Sequence, residues 1–230
     1  MGLGTKLRFT ELVASWSPEI ADGPSARFYR ELDALQPRPD PRLLNVWADL
    51  REFSRAANEV VKQGTSIQPS LFFLITSVLH RLLRLEFDQN SLSEVLRLGM
   101  LAYSKTIMIR LQGLGKKMTF LAGQLKAALD PLPTISPEGY PFVLWVLVIS
   151  ALSIFEDFEP EWIRRGLMET MMALGLRTWP EMKAVLKRFL WVDALHDELA
   201  KTLFDELSVS FSDDFLVGFK ATFPAYFLSA

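Results

Sequence analysis

The sequence predicts an all-α protein, a single-domain helical bundle of about nine or ten helices around a central apolar helix at residues 142–155. Apolar residues recur at intervals of three and four along most of the chain, which is the spacing of one helix face. Residues that start or stop helices bound these stretches, and no stretch shows the period-two alternation of a half-buried strand. We expect an irregular segment with short helices at residues 1–40 and an all-helical domain at residues 41–230.

Capping residues mark where several of the helices begin. Asp40 can accept a hydrogen bond from the first turn of a helix that opens with proline. Ser91 with Glu94 forms a capping box, and Thr178 with Glu181 forms a second one. With the apolar stripes, these signals predict helices over residues 41–64, 70–86, 91–112, 118–129, 142–155, 160–174, 181–190 and 193–207.

The segment at residues 142–155 is apolar on every side, as is typical of a helix surrounded by other helices. Its β-branched residues would also suit a buried strand, but the sequence offers that strand no partner. The uncharged run at residues 140–155 is shorter than the roughly 20 residues that a membrane span needs. Lys6, Arg8 and Glu11 interrupt any signal-peptide core. We therefore expect an intracellular, cytoplasmic protein.

The composition excludes several classes of partner and of site. The chain has no cysteine, which rules out disulfides, thiolate zinc sites and cysteine nucleophiles. Its 25 Lys and Arg residues are balanced by 27 Asp and Glu residues, whereas nucleic acids and anionic membranes call for a basic excess. We expect no direct nucleic-acid binding and no membrane partner.

Motifs for common enzyme chemistry are missing as well. His80 and His196 are the only histidines, and they are not spaced as metal ligands. Gly113 and Gly115 follow no strand and form no Walker pattern. The acidic stretch at residues 156–161 lacks the Asp-Asp-x-x-Asp pattern with which helical terpene synthases hold magnesium and diphosphate. We therefore expect no metal and no cofactor.

Residues 174–207 carry a more specific pattern. A Leu-Gly-Leu turn precedes a helix that begins at Trp179, a Phe-Leu-Trp-Val-Asp step follows at residues 189–193, and the last helix is rich in Asp and Glu. This segment resembles the C-terminal part of the fungal-specific regulatory domain of zinc-cluster transcription factors. Pieces upstream agree in order and spacing, so that the resemblance covers about residues 70–210; they are His80-Arg-Leu-Leu83, Leu96-Arg-Leu-Gly-Met-Leu101, and Leu144-Trp-Val-Leu147 with Trp162.

The chain departs from that family in one respect. Family members begin with a six-cysteine zinc cluster that reads DNA, and a sequence without cysteine cannot form one. The resemblance is therefore to the effector half alone. It implies a regulatory module that senses a metabolite or binds another regulator.

Aromatic residues suggest how such a domain could bind a ligand. Six Trp, 17 Phe and four Tyr residues can either fill the core or line an interior pocket with a few polar anchors. If they line a pocket, Tyr103 and His196 are the candidate catalytic residues, and Trp145, Ser150 and Trp191 are the candidate ligand-binding residues.

The role of His196 has two interpretations. Asp193 lies one helical turn before it, so the pair could form a general base oriented by a carboxylate. Alternatively, Asp193 is a helix N-cap and the step is structural, which the sequence favours.

Two functions make specific predictions, while a purely structural adaptor stays open and makes none. In the first, a stand-alone transcription-factor-like domain binds a hydrophobic natural-product intermediate in an interior pocket. It then steers a cyclisation of the Diels–Alder type without metal or covalent catalysis, by positioning the substrate and polarising one carbonyl. In the second, the chain is a metabolite-sensing or partner-binding regulatory module without its own DNA-binding domain, acting in the nucleus through a partner regulator or a second copy. The first explains an effector domain without its DNA-binding half, and we expect it by a narrow margin.

Overall fold

The computed structural model describes residues 31–33, 35–64, 70–112, 119–129, 136–154 and 161–214. These residues form one compact all-α unit without a strand, which confirms the predicted fold class, although the predicted count of nine or ten helices is not confirmed. Most of the segment at residues 1–40, the glycines at 113 and 115, and residues 156–160 of the acidic stretch lie outside the described residues. The eight helices are α1 (Pro41–Lys62), α2 (Ser70–Arg84), α3 (Leu92–Gln112), α4 (Thr119–Leu129), α5 (Tyr140–Ile154), α6 (Glu161–Ala173), α7 (Trp179–Leu186) and α8 (Asp193–Asp214).

Helix α5 makes the most extensive packing contacts. It lies along α3 and α6 and also contacts α4, α7 and α8. Every side chain from Leu144 to Ile149 is buried, as expected for a helix that is apolar on all sides. Helix α1 packs on α2, α3 and α8.

A glycine allows α3 and α5 to approach each other closely. A Cβ atom placed on Gly99 of α3 would lie 3.1 Å from Cζ3 of Trp145 and 3.2 Å from Cγ2 of Val146. Both neighbours are fully buried on α5, so neither can move aside without disturbing the core. The absence of a side chain at residue 99 therefore sets the separation of the two helices.

Helix ends test the capping predictions directly. Asp40 caps α1 as predicted, since its carboxylate accepts a 2.8 Å hydrogen bond from the Arg42 amide. Thr178 and Glu181 form the predicted capping box of α7. Gly175 follows α6 with a φ of 66°, a left-handed conformation that glycine adopts without strain.

The predicted capping box at Ser91 is only half formed. The Ser91 hydroxyl accepts a hydrogen bond from the Glu94 amide. The Glu94 carboxylate, however, pairs with Arg97 one turn further on, and the Ser91 amide donates to the carbonyl of Asp88. Arg97 also donates to the Leu82 carbonyl, so the buried Glu94–Arg97 pair joins α3 to the end of α2 instead of closing the cap.

We predict that Gly99→Ala lowers the free energy of unfolding by about 1–3 kcal/mol, because the added methyl group overpacks the contact with Trp145. Gly123→Ala on α4 is the matched control, since a Cβ atom placed on Gly123 would have no atom within 4 Å. The control should gain up to about 1 kcal/mol from helix propensity. Urea unfolding followed by circular dichroism measures the free energy of unfolding of both variants. Equal gains in stability would contradict the close approach of α3 and α5 at Gly99.

We also predict a pH-dependent effect of Asp40→Asn. Hydrogen bonds from the Arg42 side chain lower the pKa of Asp40, so the ionised carboxylate stabilises the fold at neutral pH. This contribution is lost as the pH falls below the ordinary value of about 3.9 and through the lowered folded-state pKa.

The Asp40→Asn variant should therefore be less stable than the parent at pH 7, by under about 1 kcal/mol because Arg42 is solvent-exposed. In unfolding experiments from pH 7 to pH 3 the difference should shrink as the pH falls. Asp88→Asn, at an exposed carboxylate, is the control. A difference that is constant across this pH range would contradict the prediction.

Candidate functional site

Buried polar groups gather at the connection between α7 and α8, residues 187–192, which we call the α7–α8 loop. Its backbone carbonyls accept hydrogen bonds from side chains of distant helices. Trp145 Nε1 of α5 donates to the Leu190 carbonyl at 2.9 Å, and Arg51 Nη1 of α1 donates to the Arg188 carbonyl at 3.0 Å. The Leu190 carbonyl is buried, where a carbonyl without a donor is costly, whereas the Arg188 contact is exposed. The two contacts connect the loop to α5 and α1.

Asn58 of α1 clamps the end of the loop through both ends of its amide group. Its Nδ2 donates to the Trp191 carbonyl at 2.8 Å, and its Oδ1 accepts from the Asp193 amide at 2.8 Å. Together the two contacts fix the orientation of the side-chain amide, since only one assignment of oxygen and nitrogen satisfies both. Asn58 therefore sets where α8 begins.

His196 lies at the same place and uses both ring nitrogens. Its Nδ1 accepts a hydrogen bond from the Val192 amide at 2.9 Å, so Nδ1 carries no proton. Its Nε2 lies 2.8 Å from the Thr106 hydroxyl oxygen, and the Thr106 hydroxyl lies 2.7 Å from the Tyr103 carbonyl, which can only accept. His196 is therefore the neutral tautomer with its proton on Nε2, donating to Thr106.

This geometry corrects the predicted role of Asp193. The carbonyl of Val192 accepts from the amides of Leu195 and His196, so Val192 is the N-cap of α8 and Asp193 is its first helical residue. The side chain of Asp193 pairs with Lys187 at 2.8 Å. The imidazole of His196, not a carboxylate, satisfies the amide at the cap.

Tyr103 is fully buried on α3, and its hydroxyl lies 2.6 Å from Ser54 Oγ on α1. Ser54 donates its own proton to the Leu50 carbonyl at 2.7 Å, so Tyr103 is the donor to Ser54. Burial raises the pKa of the Tyr103 hydroxyl well above its usual value, and the contact with Ser54 offsets this in part. Tyr103 thus stays protonated, and its proton faces another protein group.

The two candidate catalytic residues therefore share one arrangement. In each, a ring donates to a hydroxyl, and that hydroxyl donates to a backbone carbonyl of α1 or α3. Both chains of hydrogen bonds end inside the protein. Polarising a substrate carbonyl with Tyr103 or His196 would require breaking one of them.

The structure brings three of the five predicted site residues together. The imidazole of His196 lies 4.8 Å from the Trp191 ring and 5.6 Å from the Tyr103 ring, measured between centroids. Trp191 Nε1 donates to Asp197 at 2.9 Å, which in turn binds Lys183.

The other two predicted residues lie on α5 and serve its packing. Trp145 stacks against Phe189 at 5.9 Å and meets the edge of Trp47 at 5.2 Å, and its indole N–H is used by the α7–α8 loop. Ser150 donates to the Val146 carbonyl of its own helix at 2.6 Å.

Sequence reasoning missed three residues that organise this region: Asn58, Thr106 and Ser54. Each is a polar residue inside a helix, where Ser, Thr and Asn compete with the backbone for hydrogen bonds and are disfavoured unless they have a partner. Such a residue on the face of a helix that is otherwise apolar is a usable signal. The partner itself, 90 residues away for Thr106, leaves no trace in the sequence.

Two further findings concern other kinds of site. Within the described ranges, no group of three or more His, Asp or Glu side chains is arranged to hold a metal ion. Nor does any described helix combine the length and apolarity needed to cross a membrane.

No protein-family model, curated protein or solved structure matches this chain. The resemblance to the fungal regulatory domain therefore remains a prediction.

We predict that Asn58→Ala lowers the free energy of unfolding by about 2 kcal/mol, because it leaves the Trp191 carbonyl and the Asp193 amide without a partner. Asn45→Ala is the matched control, being the same change at an exposed position of the same helix. It should alter stability by less than about 0.5 kcal/mol. Urea unfolding measures the free energy of unfolding of both variants. Similar losses in the two would mean that the hydrogen bonds of Asn58 contribute little to stability.

Proposed function

We propose that this chain is a regulatory effector module of the kind found in fungal zinc-cluster transcription factors, one that binds an apolar small molecule and acts by binding instead of chemistry. The proposal rests on one observation: the candidate hydrogen-bond donors of the site already donate to other groups of the protein. The hydroxyl of Tyr103, the Nε2–H of His196 and the indole N–H of Trp191 each donate to another group of the protein. A guest near them would be held by apolar contacts, which suits a sensor.

The segment that carries the resemblance supports this assignment. Its Leu-Gly-Leu turn ends α6, its Trp179 opens α7 behind a capping box, and its Trp-Val-Asp step is the clamped end of the α7–α8 loop. Each part of the pattern therefore has a defined structural role. A pattern whose residues have structural roles favours a scaffold over a catalytic site as the basis of the resemblance.

We further propose that α5 is the central helix of the bundle. Five other helices pack around it, and its fully buried Trp145 links α1, α3 and the α7–α8 loop. A sensor built in this way would transmit occupancy of its interior to the outer helices through α5. These 230 residues contain no cysteine zinc cluster, so the module would reach DNA through another domain or a partner regulator, and it would then act in the nucleus.

One observation keeps the cyclase as a second candidate. Burial raises the pKa of Tyr103, so its hydroxyl is protonated at neutral pH and can donate a hydrogen bond. If Tyr103 exchanged its hydrogen bond to Ser54 for one to a substrate carbonyl, its hydroxyl could polarise that carbonyl without any metal.

Binding and turnover of one linear polyene separate the two candidates. Purified protein is titrated with cis-parinaric acid, whose fluorescence reports transfer to an apolar site, and the ligand is then recovered and analysed by chromatography. A sensor should give saturable binding with the polyene unchanged. A linear triene that carries a tethered alkene and a carbonyl then serves as the cyclisation substrate, with its rate in buffer as the reference.

Tyr103→Phe is the discriminating variant, because it removes one hydroxyl and keeps the buried ring. Under our proposal it leaves polyene affinity within about twofold, since the lost group touches only Ser54. A rate above buffer that Tyr103→Phe lowers at least tenfold would establish the cyclase instead. Absence of saturable binding by any apolar probe would overturn both.

A further inference from the structure

A buried histidine satisfies the amide at the start of α8. His196 is fully buried, and its two ring nitrogens face an amide that can only donate and a hydroxyl whose proton is already committed to the Tyr103 carbonyl. The neutral ring with its proton on Nε2 matches both partners. A protonated ring would point an N–H group at the N–H group of Val192, so that two donors would face each other.

We propose that His196 is an acid-sensitive latch: the α7–α8 loop and the first turn of α8 stay closed while the imidazole is neutral and open when it takes up a proton. The opening would expose Leu190, Trp191 and Val192, which are at most 2% exposed in the closed form. Acid would thus uncover an apolar surface beside α1 and α3. The latch does not depend on the proposed function, because it concerns an opening equilibrium of the chain itself.

Three carboxylates lie within three residues of His196: Asp193, Asp197 and the exposed Glu198. On α8 itself, Asp193 and Asp197 are paired with Lys187 and Lys183, so a protonated ring would have to compete with these lysines for them. The ring of Tyr103 on α3 lies 5.6 Å from the imidazole, between centroids. The other titratable groups on the helices that pack against α8 are Glu94, Arg97, Lys105 and Arg110 on α3, Arg42, Asp49, Arg51, Glu52, Arg55, Glu59 and Lys62 on α1, Glu181 and Lys183 on α7, and Tyr140 on α5.

Proton uptake by His196 favours the open form, so acid promotes opening. A free imidazole takes up a proton at about pH 6.5, and the open form behaves like a free imidazole while the closed form excludes the proton. Below that pH each unit multiplies the opening constant by about ten. From pH 7.5 to pH 5.0 the opening constant should therefore rise about 30-fold.

Amide hydrogen exchange followed by NMR tests this on the whole chain. After correction for the intrinsic pH dependence of exchange, protection of the Val192, Asp193, Leu195 and His196 amides should fall about 30-fold between pH 7.5 and pH 5.0. Protection in the middle of α6, Glu161–Ala173, should stay constant and serves as the internal reference. If all helices lost protection together, or if the four latch amides kept theirs, the latch would be overturned.

The chain has only two histidines, so substituting each one shows which of them causes the change in protection. His80 is exposed on α2, so His80→Gln should retain the full 30-fold change, whereas His196→Gln should abolish it. If His196→Gln fails to fold, nitrogen NMR of the His196 ring in the His80→Gln protein decides instead. A ring that stays neutral in the closed form down to pH 5.0 supports the latch, and a ring that becomes an imidazolium while the latch amides stay protected refutes it.

Discussion

The arrangement of the described helices depends on how the buried backbone of the α7–α8 loop finds hydrogen-bond partners. Residues 189–192 of the loop are buried and cannot bond to water, so their carbonyls and amides need partners from the protein. Side chains of α1, α5 and α8 supply three of these partners, through Asn58, Trp145 and His196. Each of these bonds also ties its helix to the loop. The contacts that satisfy the loop are therefore the ones that hold the helices in register.

This constraint also limits what chemistry the interior can perform. Polar groups in a core are tolerated when each is satisfied, and a satisfied donor is not available to a substrate. Tyr103 and His196 are fully buried, as many functional residues are. Each donates its hydrogen bond to a hydroxyl, and that hydroxyl donates to a backbone carbonyl. The same bonds give His196 a strict requirement for the neutral form. A residue that is poorly placed to catalyse is thereby well placed to report acidity through the start of α8.

Local signals in the sequence were reliable wherever the chemistry of a few neighbouring residues decides the structure. Asp40 and the Thr178–Glu181 box formed as expected because an N-cap needs only a side-chain acceptor and the next three amides. The Ser91–Glu94 box failed in part because Arg97, one turn away and buried with it, offered Glu94 a stronger charged partner. Asp193 failed as a cap because Asn58 and His196 satisfied the amides at this helix start instead.

The sequence by itself determined the all-α class, the approximate extent of the helices and the exclusion of cysteine chemistry, since these follow from spacing and composition. It also singled out Tyr103, Trp191 and His196, whose large rings had to be buried somewhere. Only the tertiary structure decided what they do, because their partners lie between 4 and 90 residues away along the chain. Hydrogen bonds have a direction, and which way each proton points depends on groups that meet only when the helices pack. Whether a buried ring acts as a base, as a hydrogen-bond donor or as a structural latch depends on the direction of its hydrogen bonds.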